Sequence, residues 1–290
     1  MAAILNRVFN LMSEFEMYKA VSPYFYREVN RKLNITGLRR LKDSDPDIPE
    51  SLAGKVCVMT GGSRGIGVHV VQTMLKKDCH VITTSSSKDP EIIEKRRQKI
   101  LAGIPEGKGQ LEIWHLDLTS MESTINFAKR FKELNLPLNY FVACAGVMFV
   151  EYQLTQDGFE KHFALNYLSQ ILLLWYLLPE LAHTAKQQEQ HSRIVLVSSC
   201  AHFAGDIKFN DIHSKLMYSK YQAYGQSKLA LVMFGYKMAK WLDSKDEYRG
   251  LVKVFSLHPG LIISTGLWDN VDIVKAFPPL ADMPMYRVRK

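Results

Sequence analysis

The chain has 290 residues, 37 of them Lys or Arg and 29 Asp or Glu, with a formal charge of +8, 47% hydrophobic residues and 23% charged ones. That length can bury a full core, and the composition is that of a globular chain, which excludes disordered, collagenous and disulfide-stapled classes. The positive balance favours anionic partners, a phosphate-bearing cofactor or an anionic membrane surface. No basic stripe with interleaved aromatics is present, which argues against nucleic-acid binding.

Residues 1–50 read as a helical extension followed by a linker. Ile4, Leu5, Val8, Phe9, Leu11, Met12 and Phe15 recur at helical spacing. Two readings stay open: a helix docked on its own domain or a partner, or an interfacial membrane anchor. The segment lacks a basic leader, a long apolar core and a small-residue cleavage site, so it does not read as a signal peptide. The polar, Pro-containing run 42–49 leads into the main domain, residues 51–290.

From Lys55 onward short β-branched runs alternate with helical patterns. The expected strands are Lys55–Thr60, His80–Ser85, Leu111–Leu116, Tyr140–Cys144, Arg193–Ser198 and Lys253–Leu257. Continuous apolar strands separated by helices predict an α/β fold, a Rossmann-like doubly wound parallel sheet in a single domain. No run reaches the roughly 18 uninterrupted apolar residues of a spanning helix, and Ile171–Leu178 reads as a buried core helix. The cysteines, Cys57, Cys79, Cys144 and Cys200, are scattered without metal-ligand spacing, which predicts reduced thiols in a reducing compartment.

Thr60-Gly61-Gly62-Ser63-Arg64-Gly65-Ile66-Gly67 follows the first strand and opens a helical pattern. Glycines there permit a tight turn and let backbone N–H groups and a helix N-terminus approach a pyrophosphate. Further on, Tyr224 and Lys228 stand four residues apart and share one helix face. An ammonium beside a phenol favours the phenolate, which would make the phenol a usable acid or base. Tyr218 and Tyr221 lack a lysine four residues later.

The glycine turn, Asp117-Leu118, Ala145-Gly146, Asn166, Ser198-Ser199, Tyr224/Lys228 and Pro259-Gly260 together resemble the short-chain dehydrogenase/reductase family. Gly146-Val-Met148, Asp157-Gly-Phe-Glu-Lys-His-Phe163 and Ser227-Lys-Leu-Ala-Leu-Val232 are similar to its retinol-dehydrogenase-like branch, including the X-linked dehydrogenase/reductase type. The resemblance implies that Tyr224 is the catalytic acid or base and that Lys228 binds the nicotinamide ribose and lowers the tyrosine pKa. It also implies that Ser199 polarises the substrate oxygen and that Asn166 holds a relay water. Cofactor contacts would come from Gly61, Ser63, Arg64, Gly65, Ile66, Gly67, Ser85, Asp117, Leu118, Ala145, Gly146, Tyr224, Lys228, Pro259, Gly260 and Ser264.

The second strand ends Thr83-Thr84-Ser85-Ser86-Ser87-Lys88 with no acid before Asp89, and Arg64 is placed to meet a phosphate. NADP(H) is therefore the favoured cofactor, with NAD(H) as the alternative. The resemblance implies a small lipophilic substrate, a retinoid, steroid or isoprenoid-like alcohol or carbonyl. Leu261-Ile262-Ile263 and Trp268 suit an apolar pocket wall. It also implies a homodimer through the helices around 166–178 and 224–240. The expected location is cytoplasmic, peripheral on the endoplasmic reticulum membrane or lipid droplets through the N-terminal helix. A catalytically silent nucleotide-binding or interaction protein of the same fold is the alternative.

Two departures from the family pattern stand out. The strand-end motif with one or two asparagines reads Ala143-Cys144-Ala145-Gly146, which puts the local tether between strands in doubt. The chain ends 30 residues after Gly260, at Lys290, and 269–290 does not resemble the family's last helix and strand, so a shortened terminus and an unpaired sheet edge are expected.

Overall fold

A computed structural model describes residues 49–260 and Leu267. The N-terminal extension, Ser264, the 261–263 wall and the last 23 residues lie outside the described residues.

Strands β1 (Val56–Thr60), β2 (His80–Ser85), β3 (Gln110–His115), β4 (Tyr140–Ala143), β5 (Ser192–Val197) and β6 (Val252–Leu257) form one sheet in the order β3-β2-β1-β4-β5-β6. Every neighbouring pair is parallel. The six expected strands are all present, with ends shifted by at most one residue. All five residues of β1 are buried, as the centre of a sheet covered on both faces requires. Among the described residues β6 pairs only with β5, and its Phe255 and Leu257 are exposed.

The crossovers carry helices α1 (Gly65–Lys76), α2 (Pro90–Leu101), α3 (Met121–Glu133), the single turn α4 (Lys161–Phe163), α5 (Ser169–Gln187) and α6 (Lys220–Ser244). Their starts follow local chemistry. Asp89 accepts from the N–H of Glu91 with Pro90 at the first helical position, Ser120 accepts from Ser123, and Ser219 accepts from Gln222. A π-helical turn, Ala164–Leu168, leads into α5 and turns Asn166 inward. The run foreseen as a core helix lies in α5, where Leu173, Leu174, Leu177, Leu178 and Leu181 are at most 2% exposed. Each such leucine contributes about 1.5–3 kcal/mol of burial, and together they seal one face of the sheet against α3. No helix among the described residues is long and apolar enough to cross a membrane.

The order in which strands are added reverses between β1 and β4, the parallel strands whose C-terminal ends open a crevice at the switch point of a doubly wound sheet. The residues singled out for chemistry gather along that edge.

Candidate active site

The turn after β1 is built for close approach. Gly61 has φ +71°, and a Cβ there would sit 2.6 Å from the Cα of Ala145. A Cβ on Gly67 would sit 2.3 Å from the carbonyl oxygen of Gly61. The turn therefore presses against both the end of β4 and the first turn of α1. That helix has Arg64 at its N-cap with no side-chain cap, and no acid in its first turn. Its leading N–H groups are left for an anion, in the cradle expected to hold a pyrophosphate. Ser63 serves the turn itself, since its buried hydroxyl donates to the carbonyl of Thr84 at 2.7 Å.

At the end of β2 the structure adds a residue that the sequence reading missed. Arg96, on α2, donates from Nη1 to the Ser85 hydroxyl at 2.5 Å. Burial and the nearby charge of Arg64 both lower its pKa. Among the described residues neither arginine has a carboxylate partner. Asp89, the first acid after the strand, is spent capping α2. Two guanidinium groups and a serine thus converge with no compensating anion. The readable signal was the Lys-Arg-Arg cluster in the helix after the second strand, but spacing alone does not show that Arg96 folds back over Ser85.

Asp117 uses one carboxylate oxygen locally, accepting from the N–H and hydroxyl of Thr119. Leu118 is buried and its carbonyl accepts from Ser169 on α5. Ala145-Gly146 lies against the turn on one side and against Asn166 and Lys228 on the other. A Cβ on Gly146 would meet Asn166 Oδ1 at 3.3 Å and Lys228 Nζ at 3.5 Å. At the far end of the described chain, Gly260 has φ +87° and donates to His258 Nδ1 at 3.2 Å.

The doubt over the asparagine-free strand end is resolved by Thr60. Its hydroxyl accepts from the N–H groups of Cys144 and Ala145 at 3.1 and 3.2 Å and donates to Gln170 Oε1 at 2.8 Å. The Gln170 amide in turn donates to the carbonyl of Ala145 at 3.0 Å. A threonine and a glutamine from separate elements supply the tether that the missing asparagine side chain would have given.

The four residues expected to react converge. Ser198, the first serine, is structural and donates to the carbonyl of Lys228 at 2.8 Å. Ser199, the second, accepts from the N–H of Ala201 and hydrogen-bonds the phenol of Tyr224. The backbones of the Ser199 loop and α6 approach closely because two glycines meet, and a Cβ on Gly205 would lie 2.4 Å from the carbonyl oxygen of Gly225. Lys228 is 5% exposed, donates to the carbonyl of Val197 at 3.0 Å and lies 5.8 Å from the centre of the Tyr224 ring. Asn166 accepts from the N–H of Val147 at 2.8 Å and donates to the carbonyl of Val147 and the hydroxyl of Ser227. Both of its amide protons are thereby given to protein acceptors.

The electrostatics differ from the sequence expectation. Burial pushes the Tyr224 phenol up to about 12, opposed by the hydrogen bond from Ser199. Burial also pulls Lys228 down to about 8. In this structure desolvation sets the net direction for both groups, because both are withdrawn from water. Tyr224 is therefore a neutral phenol at neutral pH.

The fold and this site define a nucleotide-binding α/β chain with a Ser/Tyr/Lys constellation. The family model described as short chain dehydrogenase matches residues 55–273, and the chain belongs to that family. Among curated proteins it is 37% identical over 228 residues to a polyprenol dehydrogenase of Danio rerio, covering 78% of this chain and 67% of that protein. It is 33% identical to the Homo sapiens polyprenol dehydrogenase, covering 75% and 63%, and 33% identical to retinol dehydrogenase 12 of Mus musculus, covering 73% and 63%. The match thus spans about two thirds of the length of those relatives. Among solved structures, the Pseudomonas aeruginosa RhlG/NADP active-site complex superposes with a TM-score of 0.58 at 26% identity, covering 77% of this chain and 78% of that one. A protein from Mycobacterium Paratuberculosis superposes with a TM-score of 0.61 at 25% identity, covering 83% and 78%.

Proposed function

We propose that the protein is an NADP(H)-dependent oxidoreductase that interconverts a lipophilic alcohol and its aldehyde or ketone. The convergence of Ser199, Tyr224 and Lys228 beside Gly146 carries this reading. The cofactor supplies or accepts the hydride. The chain's own residues do the rest: Tyr224 gives a proton to the carbonyl oxygen in reduction and takes it back in oxidation. Ser199 hydrogen-bonds the phenol and the substrate oxygen, and Lys228 binds the cofactor ribose and supports the charge on Tyr224.

The residues present fit the cofactor. The uncapped start of α1 and the glycine cradle suit a pyrophosphate. Arg64, Arg96 and Ser85 suit a ribose 2′-phosphate, which favours NADP(H) over NAD(H). The names of the relatives, polyprenol and retinol dehydrogenases, support an isoprenoid or retinoid substrate. Side chains on the segment between Ser199 and Tyr224 agree, since Phe203, Phe209, Leu216 and Met217 are all exposed and apolar. Pairing of two copies through α5 and α6 is supported by exposed Trp175, Met233 and Tyr236 on those helices. Attachment to a membrane surface would fall to the apolar residues of the N-terminal extension, such as Ile4, Val8 and Phe15.

The test is NADPH oxidation by the purified chain with all-trans-retinal and a polyprenal, beside a Tyr224→Phe variant. Turnover that disappears in the variant supports the enzyme. NADPH binding without turnover across the panel would favour the silent nucleotide-binding protein.

A further inference from the structure

The segment Asp157–Phe163 has no role in the chemistry described above, yet its Glu160 and His162 are wholly buried. A buried carboxylate and imidazole are costly unless their polar atoms are paired. Here they are. Glu160 Oε1 accepts from the backbone N–H of His162 at 3.0 Å and lies 2.8 Å from Nδ1 of its ring, while Oε2 accepts from the N–H of Phe163 at 2.8 Å. On the other side of the ring, Nε2 lies 3.2 Å from the N–H of Val150. A backbone amide can only donate, so Nε2 is the bare nitrogen and the ring proton sits on Nδ1, facing the carboxylate.

Tyr218 completes the arrangement. Its hydroxyl donates to the carbonyl of Val150 at 2.6 Å and lies 3.3 Å from His162 Nδ1. Burial first, and then the neighbouring Glu160, raise its pKa far above the usual tyrosine value, so it stays a donor. Both backbone polar groups of Val150 are thus held by side chains, the buried His162 and the half-buried Tyr218.

The residue before it shows what the hold is for. Phe149 has φ +54°, a left-handed conformation that bulky side chains rarely adopt. Such a conformation persists only where its surroundings over-determine it. In that conformation the Phe149 ring lies 4.6 Å from Tyr221 and 5.3 Å, edge-on, from Tyr224. The His162 ring itself stands 6.2 Å from Tyr224, also edge-on. Capping α4 would need Glu160 alone; the two-sided grip on Val150 has no such use.

We propose that Glu160, His162 and Tyr218 form a latch on Val150 that holds Phe149 against Tyr224, making them positioning residues for the proton transfer. The latch rests on the reading of Tyr224 as the proton donor. It assigns a physical task to the Asp157–Phe163 motif and explains why a phenylalanine is kept in a left-handed turn next to the reacting phenol.

The experiment compares the full-length protein with Tyr218→Phe, His162→Phe, His162→Gln and Tyr224→Phe, using NADPH or its 4-deuterated form and retinal. Tyr218→Phe and His162→Phe each remove a contact to Val150 and should lower kcat about tenfold or more. KM and the NADPH dissociation constant should stay within about twofold, and the deuterium isotope effect should rise as the chemical step slows. His162→Gln, which keeps an acceptor for the Val150 N–H, should restore most of kcat. Should His162→Phe fail to fold, Tyr218→Phe carries the test, since it removes one oxygen atom and leaves the ring. Wild-type kcat in Tyr218→Phe, or equal losses in His162→Phe and a stably folded His162→Gln, would overturn the latch. Undiminished turnover in Tyr224→Phe would instead overturn the assignment of the proton donor, so the two failures are distinguishable.

Discussion

The Nζ of Lys228 donates to the carbonyl of Val197 at 3.0 Å, which anchors the buried ammonium to the end of β5. One hydrogen bond does not restore the hydration that the charge has lost, and burial lowers the lysine from 10.5 to about 8. A lysine depressed in the folded state destabilises the fold fully below pH 8, and that cost is relieved as pH rises from 8 toward 10.5, where the unfolded chain alone still holds the proton.

Lys228→Met should therefore stabilise the protein at pH 7 while abolishing turnover. Between pH 7 and 9.5 the wild type should gain about 2 kcal/mol relative to the variant. Denaturant unfolding of both proteins at the two pH values measures the difference, and a gap that does not close with pH would contradict the burial argument.

Tyr224 is raised to about 12 by burial, with the Ser199 hydrogen bond pulling it down. Removing that bond in Ser199→Ala should push the phenol further up. Alcohol oxidation needs the phenolate, so its rate should rise with pH in the wild type and reach a given fraction of its maximum at a higher pH in the variant. Carbonyl reduction, which needs the protonated phenol, should not rise over the same range. Rate profiles from pH 6 to 10 in both directions settle this, and an unmoved oxidation profile would exclude the hydrogen bond as a tuning contact.

Cofactor choice should respond to both arginines. Arg96→Ala should weaken NADPH binding by about 10- to 100-fold, the loss expected for a charged hydrogen bond, and leave NADH binding within about twofold. Arg64→Glu should raise the Michaelis constant for NADPH far more than for NADH. Titration calorimetry with the two cofactors reads the first effect, and equal losses for both nucleotides would place the arginines away from the 2′-phosphate.

The Thr60 tether can be tested without touching the reacting groups. Thr60→Val preserves shape but strands the N–H groups of Cys144 and Ala145 and one face of Gln170. The expected loss is about 1–3 kcal/mol, seen as a lower denaturant midpoint with unchanged slope. A midpoint equal to the wild type would show that the strand end needs no tether.

Much of the architecture was legible because burial on both faces of a parallel sheet leaves a one-dimensional trace. Val56–Met59 and Ile194–Val197 are continuous apolar runs, and Asp89-Pro90, Ser120 and Ser219 mark helix starts by chemistry that acts within three residues. Part of the candidate site was legible for a similar reason: Tyr224 and Lys228 share a helix face through local geometry alone, whereas Ser199 and Asn166 were identified through the family resemblance. The Glu160–His162 pair on Val150 was not legible, nor was Arg96 over Ser85, because those contacts join residues whose separation in sequence carries no periodic signal.

Local spacing and burial pattern were thus enough to predict the α/β class, the glycine turn and the Tyr224/Lys228 pair, while the other candidate residues came from the family resemblance. The tertiary structure decided what those residues do for one another. It spent Ser198 and Ser63 on backbone groups, replaced an absent asparagine with Thr60 and Gln170, and reversed the expected direction of the Tyr224 shift. The physical reason is desolvation: how far a phenol or an ammonium is removed from water depends on everything packed around it, and no stretch of sequence contains that sum.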